Sequence, residues 1–518
     1  MRTLDIRPRS GERPSSFAER MGKVYDDDSS PDSKRGKGQF FTPLVIAKFM
    51  GSLSGPSEKE ISILDPGCGC AILSTCLIEH LIEHNQILKV HLDAYETDLR
   101  VVPFTKAVLG YLKVWLQKSG VSFTYLIKEE DFVLSNYNCL KLEPQIFDDQ
   151  EIVLYDYIIS NPPFFKLAKD DDRVIASSSI VNGQTNIYAL FVAVSSRMLK
   201  SSGQMIVIIP RSFASGRYFE LFREFLFCNI SPDFIHLFNT RKETFAKDDV
   251  LQELLIMSCH SSCSNKSKEV VVSYSNGVAD LDNTYRKSYS VKEIVDFESK
   301  EKVLYLPVCH RDEEVLRLFK SWEGNLSKYD IKISTGPVIA FRNKQFLLKT
   351  EEYDTVPLYW SHNVVKMLCY HPVEKKERCQ YIRVEDGSLS CLLQNKNYIL
   401  LRRFSAKDDE SRLVAAPYFG NGSKYKYVGI ENKLNYIYRP DGRLTRSEVM
   451  GIAALLNSKL FDSFFRTFNG NINVSATELR MMPFPPLDTI KKIGNKIILS
   501  NDYSIDYINK IVSGFFNI

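Results

Sequence analysis

Residues 61 to 81, with the sequence ISILDPGCGCAILSTCLIEHL, decide the fold of this chain. The apolar run Ile61 to Leu64 predicts a buried strand, and the periodic segment Ile72 to Leu81 predicts a helix. Between them, Asp65 to Ala71 is a glycine-rich turn, which lets a ligand approach the backbone closely at the amino end of a helix. This order is typical of α/β nucleotide-binding folds, so we expect a mostly parallel sheet flanked by helices.

Acidic residues also follow the next two predicted strands. The run Val90 to Tyr95 is followed by Glu96, which is placed to accept hydrogen bonds from ribose hydroxyls. The run Phe123 to Ile127 leads to Asp131-Phe132, an acceptor beside an aromatic ring that suits an adenine amino group and its face. A single acidic residue is usually a solvated surface charge, but acids at successive strand ends indicate a nucleotide-like ligand.

The segment Asn161-Pro162-Pro163-Phe164 predicts a rigid loop at the end of the buried strand Tyr157 to Ile159. Both prolines fix φ and lack an N–H group, so the loop presents carbonyl oxygens without competing donors. A nucleobase amino nitrogen is a poor nucleophile and must be held by acceptors, such as the Asn161 side-chain oxygen and the Pro162 carbonyl. Phe164 offers a face on which a base can stack. Asn before Pro also starts ordinary turns, so this tetrapeptide does not decide the function alone.

The order of these motifs resembles the γ-class DNA adenine methyltransferases of restriction–modification systems. The matching segments are, in chain order, GQFFTP (38–43), DPGCG (65–69), YETD (95–98), EDF (130–132) and NPPF (161–164). The resemblance implies an α/β fold: a Rossmann-like S-adenosylmethionine-dependent methyltransferase domain with a mostly parallel seven-stranded sheet, and a C-terminal α+β target-recognition domain.

The resemblance also implies the activity. The chain is expected to transfer a methyl group from S-adenosyl-L-methionine to the exocyclic N6 of a flipped adenine in double-stranded DNA, which protects the site from a cognate restriction enzyme. Asn161 favours adenine, since cytosine methylases of this kind more often carry Ser there. Residues 1 to 35 are too few for a nuclease domain, so we expect a separately encoded restriction endonuclease, or none.

Individual roles are implied by the same resemblance. Asn161, Pro162 and Phe164 would be catalytic, with Phe164 and Phe245 stacking on the target base. The residues expected to bind the cofactor are Thr42, Pro43, Asp65, Pro66, Gly67, Gly69, Glu96, Asp131, Phe132 and Pro163. One position departs from the family, because Ala71 stands where glycine is usual. Alanine is strained there if its φ is positive, which would weaken cofactor binding.

Composition restricts the class of protein. The 518 residues, 44% of them hydrophobic, allow about two to four domains with sizeable cores. No stretch approaches the roughly 20 apolar residues of a membrane span, and the start lacks an apolar signal region, so a cytoplasmic protein without membrane contact is expected. The eleven cysteines favour reduced thiols over a disulfide framework. Cys369, His371 and Cys379 lack a fourth partner at a recognised spacing, and no metal is expected.

Charge predicts only a local nucleic-acid surface. The chain has 67 basic and 63 acidic residues, a net charge of +4, so it is not a polycation. After residue 370 there are two short segments in which basic residues stand next to aromatic residues. The predicted DNA contacts are Arg402, Arg403, Lys424 and Lys426.

Four segments are expected from the changes in composition along the chain. Residues 1–35 are rich in Pro, Ser, Arg and Asp and predict a disordered N-terminal arm. Residues 36–280 alternate strand and helix patterns and would form the catalytic domain. Residues 281–300 are interpreted as a linker, and residues 301–518 as the target-recognition domain.

Two other functions fit parts of the sequence. Asn-Pro-Pro loops also occur in methyltransferases that modify guanine in RNA or glutamine in proteins, although those enzymes rarely carry so long a C-terminal part. A catalytically decayed DNA-binding specificity subunit is the non-enzymatic alternative, with Ala71 in its favour and the intact Asn161, Glu96 and Asp131 against it.

Overall fold

The fold is described from a computed structural model of the chain. The described residues are 6–28, 41–141, 152–181, 185–238, 253–262, 268–281, 284–373, 378–405, 409–420, 424–470 and 472–518. The chain divides into two compact units, Met1–Leu306 and Pro307–Ile518, which we call unit 1 and unit 2.

A nine-stranded sheet forms the centre of unit 1. The strands are β1 (Glu60–Pro66), β2 (Lys89–Tyr95), β3 (Ser122–Lys128), β4 (Tyr155–Ser160), β5 (Leu199–Pro210), β6 (Ile230–Phe238), β7 (Leu254–Ser261), β8 (Glu269–Ser275) and β9 (Tyr285–Ser290). They lie in the order β3-β2-β1-β4-β5-β7-β6-β8-β9. Pairing is parallel except at β5–β7, β6–β7 and β8–β9, so the predicted mostly parallel sheet is confirmed.

The expected number of seven strands was too small. The first seven strands form one continuous block, and β8 extends it by pairing in parallel with β6. The ninth strand then pairs antiparallel with β8, from Tyr285 to Ser290. Because Tyr285–Ser290 lies within residues 281–300, the linker prediction was wrong. Polar side chains suit β9, since an edge strand has one neighbour and most of its side chains remain at least partly exposed.

Helices cover the sheet of unit 1. They are α1 (Pro14–Asp28), α2 (Leu44–Ser52), α3 (Ile72–His84), α4 (Val102–Lys118), α5 (Phe132–Ser135), α6 (Asp172–Ala176), α7 (Ile187–Arg197), α8 (Glu220–Asn229) and α9 (Val291–Ile294). Helix α3 begins at the glycine turn, as the sequence predicts. Helix α7 is buried along almost its whole length, which places it against the sheet.

Helix α1 contradicts the expected disorder for residues 14–28, while residues 1–5 and 29–35 of the predicted arm lie outside the described residues. Phe17, Met21 and Tyr25 recur at a spacing of four and are buried, so they form one apolar stripe of a helix. Ser15 donates to both oxygens of Glu79 on α3, through its backbone N–H at 2.9 Å and its hydroxyl at 2.8 Å. The average composition conceals this stripe, because most of the polar residues of α1 are at least partly exposed and outnumber the apolar ones.

Unit 2 is an α+β unit with two main sheets. Its strands are β10 (Gly324–Asn325), β11 (Lys332–Thr335), β12 (Leu347–Leu348), β13 (Thr355–Tyr359), β14 (Val364–Val365), β15 (Leu368–Cys369), β16 (Tyr381–Arg383), β17 (Leu392–Gln394), β18 (Tyr398–Arg402), β19 (Ala415–Tyr418), β20 (Tyr427–Ile430), β21 (Leu434–Tyr438) and β22 (Pro483–Phe484). One main sheet has the strand order β11-β21-β18-β19 and the other β12-β16-β13-β20-β17.

The helices of unit 2 lie before and after these sheets in the chain. They are α10 (His310–Lys320), α11 (Arg446–Asn457), α12 (Lys459–Phe468), α13 (Ala476–Met481), α14 (Leu487–Ser500) and α15 (Ile505–Phe516). In the ranges that the structure describes, no helix is both long and apolar enough to cross a bilayer.

Candidate active site

The site lies where the strand order of the unit 1 sheet reverses. Strand β1 pairs in parallel with β2 on one side and with β4 on the other. The carboxyl ends of these strands therefore meet at one edge of the sheet, which is where open α/β sheets bind ligands. The glycine turn follows β1, Glu96 follows β2, and Asn161 follows β4.

Two left-handed glycines shape the turn after β1. Gly67 has φ +75° and Gly69 has φ +52°, conformations that residues with a Cβ rarely adopt. A Cβ on Gly69 would also lie 3.1 Å from the Phe41 ring. The turn is held by the Cys68 N–H, which donates to the Tyr95 carbonyl at 2.8 Å, and by the Thr105 hydroxyl, which donates to the Gly69 carbonyl at 2.6 Å. The backbone of the turn can therefore approach a ligand closely.

We expect Gly69→Ala to lower the free energy of unfolding by about 1–2 kcal/mol, because alanine is strained at this φ. The matched control is Gly110→Ala in the middle of α4, where nothing lies within 4 Å of the added Cβ. That change should stabilise the protein by about 0.5–1 kcal/mol, because glycine weakens a helix interior. Urea denaturation of both variants checks the opposite signs, and equal effects would contradict the strain argument.

Ala71 has the positive φ that is strained for alanine. Its φ is +58° and ψ is +32°, in the left-handed region, and it directly precedes α3. The strain costs about 1 kcal/mol. The backbone of the turn nevertheless keeps its path, because the Ala71 N–H donates to the Cys68 carbonyl at 2.8 Å.

Glu96 joins the ends of β1 and β2. One carboxylate oxygen accepts from the Gly69 N–H at 3.1 Å, and the other accepts from the Asp98 N–H at 2.7 Å. The side chain is buried, and this burial raises the pKa of Glu96, against the opposing effect of the two N–H donors. Its geometry is therefore fixed before any ligand arrives.

Asp131 is held at the amino end of α5. Its Oδ1 accepts from the Val133 and Leu134 N–H groups, both at 2.9 Å. Its Oδ2 accepts from the Arg173 guanidinium at 3.3 Å. The next residue, Phe132, packs against the Tyr95 ring at 5.0 Å and against Phe191 of α7 at 5.2 Å. An acceptor and an aromatic wall thus stand side by side, as the sequence predicts.

The Asn161 loop is tied to two other parts of the site. The Asn161 Nδ2 donates to the Thr42 hydroxyl at 3.0 Å, which fixes the plane of the amide and places Oδ1 on its opposite side. The preceding residue, Ser160, donates from its hydroxyl to the Pro66 carbonyl at 3.0 Å. Phe164 is buried and meets the Tyr188 ring edge-on at 6.3 Å.

A cavity of about 540 Å³ connects these groups. Eight of the predicted site residues line it: Thr42, Gly67, Gly69, Glu96, Asp131, Phe132, Asn161 and Pro163. Five other predicted site residues do not line it: Pro43, Asp65, Pro66, Pro162 and Phe164. Phe245 lies outside the described residues. The sequence did not predict Phe41, Arg173 and Phe191 in the wall. Of these three, only Phe41 carried a signal, because it is the aromatic residue beside Thr42 in the first motif.

Asp65 is fully buried and does not line this cavity. Burial raises the pKa of Asp65 to about 7, assisted by the Glu96 charge and opposed by the Ser74 hydroxyl and N–H. The folded-state pKa of Asp65 thus lies above the ordinary value of 3.8. At low pH the carboxyl is protonated in both the folded and the unfolded chain and does not affect stability. As pH rises towards and through 7, the unfolded chain ionises more readily than the folded one, so the free energy of unfolding falls.

Asp65→Asn should remove this pH dependence. We expect the variant to gain a few kcal/mol of unfolding free energy relative to the parent between pH 5 and pH 8, because the amide cannot ionise. Denaturant titrations of both proteins at the two pH values measure the difference, in which other titrating groups cancel. A difference independent of pH would show that Asp65 titrates normally.

The predicted DNA contacts lie in unit 2 and have different surroundings. The Arg402 Nε donates to the Val364 carbonyl at 2.7 Å, and the Arg403 guanidinium donates to the Asn432 carbonyl at 3.1 Å. Lys424 forms an ion pair with Glu351 at 2.6 Å. The Lys426 ammonium lies 5.4 Å from the centre of the Tyr427 ring. These four residues are therefore not equivalent as phosphate contacts, since the Lys424 charge is already partly neutralised.

Comparisons with known proteins show what this chain resembles. A family model described as Eco57I restriction-modification methylase matches residues 108–245, which include the Asn161 loop. The type II methyltransferase M.PstI of Providencia stuartii is 29% identical over 461 residues, 89% of this chain and 89% of that protein. The type II methyltransferase M.BsuBI of Bacillus subtilis is 29% identical over 469 residues, 90% of this chain and 91% of that protein.

The chain resembles the type II methyltransferases of restriction–modification systems. This resemblance supports its assignment as a DNA methyltransferase. Among solved structures, the type IIL restriction-modification enzyme MmeI, determined in complex with DNA, superposes with a TM-score of 0.52 at 12% identity and covers 97% of this chain and 74% of its own. At that identity the likeness concerns the fold alone.

Proposed function

We propose that this chain is a DNA methyltransferase that transfers the methyl group of S-adenosyl-L-methionine to the exocyclic N6 of adenine in duplex DNA. The observation that carries the proposal is the position of Asn161. Its amide is oriented by Thr42 and lies in the wall of the same cavity that holds Glu96 and Asp131. An acceptor for an amino group thus adjoins a site suited to a nucleoside.

The residues of the cavity fit S-adenosylmethionine. A volume of about 540 Å³ lies within the range of small-molecule sites. Glu96 would accept from the ribose hydroxyls, and Asp131 with Phe132 would bind the adenine amino group and ring. Gly67 and Gly69 would let the backbone approach the methionine part. When bound, the cofactor supplies the methyl group.

The chain's own contribution is to hold and activate the amino group. The Asn161 Oδ1 and the Pro162 carbonyl accept hydrogen bonds from its two N–H groups. These bonds draw the nitrogen lone pair out of conjugation with the ring and direct it towards the cavity. Methylation would leave the nitrogen positively charged, while the S–CH3 bond of the sulfonium breaks and its electron pair stays on sulfur. The nitrogen would then lose one of its protons to water. Stacking on Phe164 and on Phe245 would offset part of the few kcal/mol that flipping the base costs.

The larger biological role follows from the resemblance and is part of the proposal. Unit 2 would be the target-recognition domain that selects the DNA sequence. Methylation would protect that sequence from a separately encoded endonuclease. Of the alternatives, an RNA guanine or protein glutamine methyltransferase would use the same acceptors on another planar amino group. A decayed specificity subunit is less well supported, because Asn161, Glu96 and Asp131 retain an ordered arrangement around one cavity.

Radiolabelled S-adenosylmethionine tests the substrate class directly. The protein is incubated with the labelled cofactor and, separately, unmethylated plasmid DNA, ribosomal RNA and release factor. We expect label in the plasmid alone, and digestion to nucleosides should yield N6-methyladenine. Label in RNA or protein, or on cytosine, would overturn the proposal, and no transfer to any of them would favour the decayed subunit.

A further inference from the structure

We propose that the DNA-contacting surface of unit 2 is centred on the loop 339–345, with Phe341 stacking against a base and Arg342, Lys344, Arg403 and Lys433 contacting phosphates. This surface rests on the proposed function, since it deepens the assignment of duplex DNA as the substrate. It differs from the predicted contact at Lys424, whose charge is paired with Glu351.

Phe341 lies in a hydrogen-bonded turn that leaves its side chain exposed. Its side chain is 77% exposed, whereas Phe346 at the end of the same loop is buried in the core of unit 2. Asn343 closes the turn in both directions: its Oδ1 accepts from the Ile339 N–H at 2.9 Å, and its N–H donates to the Ile339 carbonyl at 3.0 Å. Leaving a phenylalanine exposed forgoes roughly 2 kcal/mol of burial. A fixed, solvent-exposed ring of this kind suits stacking on a partner.

The surroundings of Phe341 are basic. The Arg342 guanidinium lies 5.5 Å from the centre of the Phe341 ring, and Lys344 is exposed two residues further on. From residue 331 to residue 350 the sequence contains no acidic residue. Within the described part of the chain, neither Arg342 nor Lys344 forms an ion pair. Their charges are therefore available to neutralise phosphates.

Backbone contacts connect this loop to a second basic group. Val338, just before the loop, donates to the Ile430 carbonyl at 3.0 Å and accepts from the Asn432 N–H at 2.9 Å. The Arg403 N–H donates to the carbonyl of Lys433 at 3.0 Å, beside the half-exposed Phe404. Burial raises the pKa of Glu431, and the nearby positive charges of Lys433 and Arg403 oppose that rise. Cations and exposed rings thus share one region.

Duplex DNA is the partner that this combination fits. Its backbone offers a regular row of negative charges, and its bases offer flat faces on which an aromatic side chain can stack once they are unstacked. An acidic protein would satisfy the cations but would not require a fixed, exposed ring between them. We therefore assign the surface to DNA and leave an acidic protein partner as an outcome of the test.

Phe341→Ala and its matched control Tyr353→Ala test the stacking role. Tyr353 is 92% exposed in the same unit but stands in the acidic stretch Glu351-Glu352-Tyr353-Asp354. The probe is a fluorescent duplex that contains the site found methylated in a plasmid by the wild-type chain, with affinity measured by anisotropy. We expect Phe341→Ala to weaken binding by about 5- to 100-fold and Tyr353→Ala to change it less than about twofold.

Arg342→Ala with Lys344→Ala tests the phosphate contacts. The slope of log affinity against log salt should fall by about two for this pair, about one for each contact. Lys424→Ala, which removes an ion-paired lysine, should lower the slope by less. Calorimetric titration with S-adenosylmethionine should give wild-type affinity for every variant, which shows that unit 1 is intact. Unchanged urea denaturation of each variant shows the same for unit 2.

The outcomes separate this proposal from the proposed function. Wild-type DNA affinity and salt slope in the Phe341 and Arg342/Lys344 variants would overturn the surface, while methylation of DNA by the wild-type chain would leave the function standing. Failure of the wild-type chain to bind or methylate DNA would overturn both. Retention of DNA binding with loss of binding to an acidic peptide such as polyglutamate would assign the surface to a protein partner instead.

Discussion

Asn161→Ala is expected to reduce the rate of methyl transfer by about 10²- to 10³-fold, the scale seen when one transition-state hydrogen bond is removed. The reason is that its amide oxygen is proposed to hold the nucleophilic amino group while its Nδ2 is already bonded to Thr42. Cofactor affinity should stay within about threefold of wild type, because Asn161 forms only one part of the cavity wall. Single-turnover transfer to plasmid DNA and calorimetry with the cofactor measure the two quantities.

Thr42→Val provides the graded comparison for this variant. Valine keeps the shape of the side chain and removes the acceptor of the Asn161 Nδ2, so the amide would be present but less well oriented. We expect a loss of transfer of about tenfold, which corresponds to one ordinary hydrogen bond. In each of the two variants, cofactor affinity and transfer rate could instead fall by the same factor. Asn161 would then be a cofactor ligand and not a contact to the base.

Glu96→Ala should give the reverse pattern and weaken cofactor binding about 10- to 100-fold, as expected for hydrogen bonds to a charged group. Transfer at saturating cofactor should change much less. Glu96 is already held by the Gly69 and Asp98 N–H groups, so its remaining lone pairs have a fixed direction towards the cavity. Calorimetric titration gives the dissociation constant.

Glu130→Ala is the matched control, because Glu130 also lines the cavity but is exposed and bonds only to the Ser135 hydroxyl in the described residues. Its removal should alter cofactor affinity less than about threefold. Similar losses for the two acids would indicate that general negative charge, and not the position of Glu96, determines cofactor affinity.

The sequence predicts the parts of the site that depend on local order. The glycine turn, the acid after each of β2 and β3, and the loop after β4 all follow from strands whose apolar runs are easy to recognise. Parallel pairing then brings their ends together without further information. Arg173 and Phe191 could not be found in this way. They reach the cavity from α6 and α7, and nothing in their own sequence neighbourhoods indicates which strand ends those helices will cover.

The errors have a different physical origin. Helix α1 and strand β9 were missed because both are polar on average, and a composition argument cannot recognise an apolar stripe or an edge strand whose pairing decides its conformation. Phe164 was expected to present a face to the base, yet it is largely buried against Tyr188. Its stacking role therefore stays a prediction that requires the ring to be reached from outside the cofactor cavity.

The hydrogen bond between Thr42 and Asn161 has a consequence for how the two substrates affect each other. Thr42 lines the cofactor cavity, and Asn161 is the proposed contact to the base, so one bond links the two sites. Binding free energies form a closed cycle, which makes such coupling reciprocal. If bound cofactor raises the affinity for DNA by some factor, bound DNA must raise the affinity for the cofactor by the same factor. Thr42→Val should reduce both factors equally.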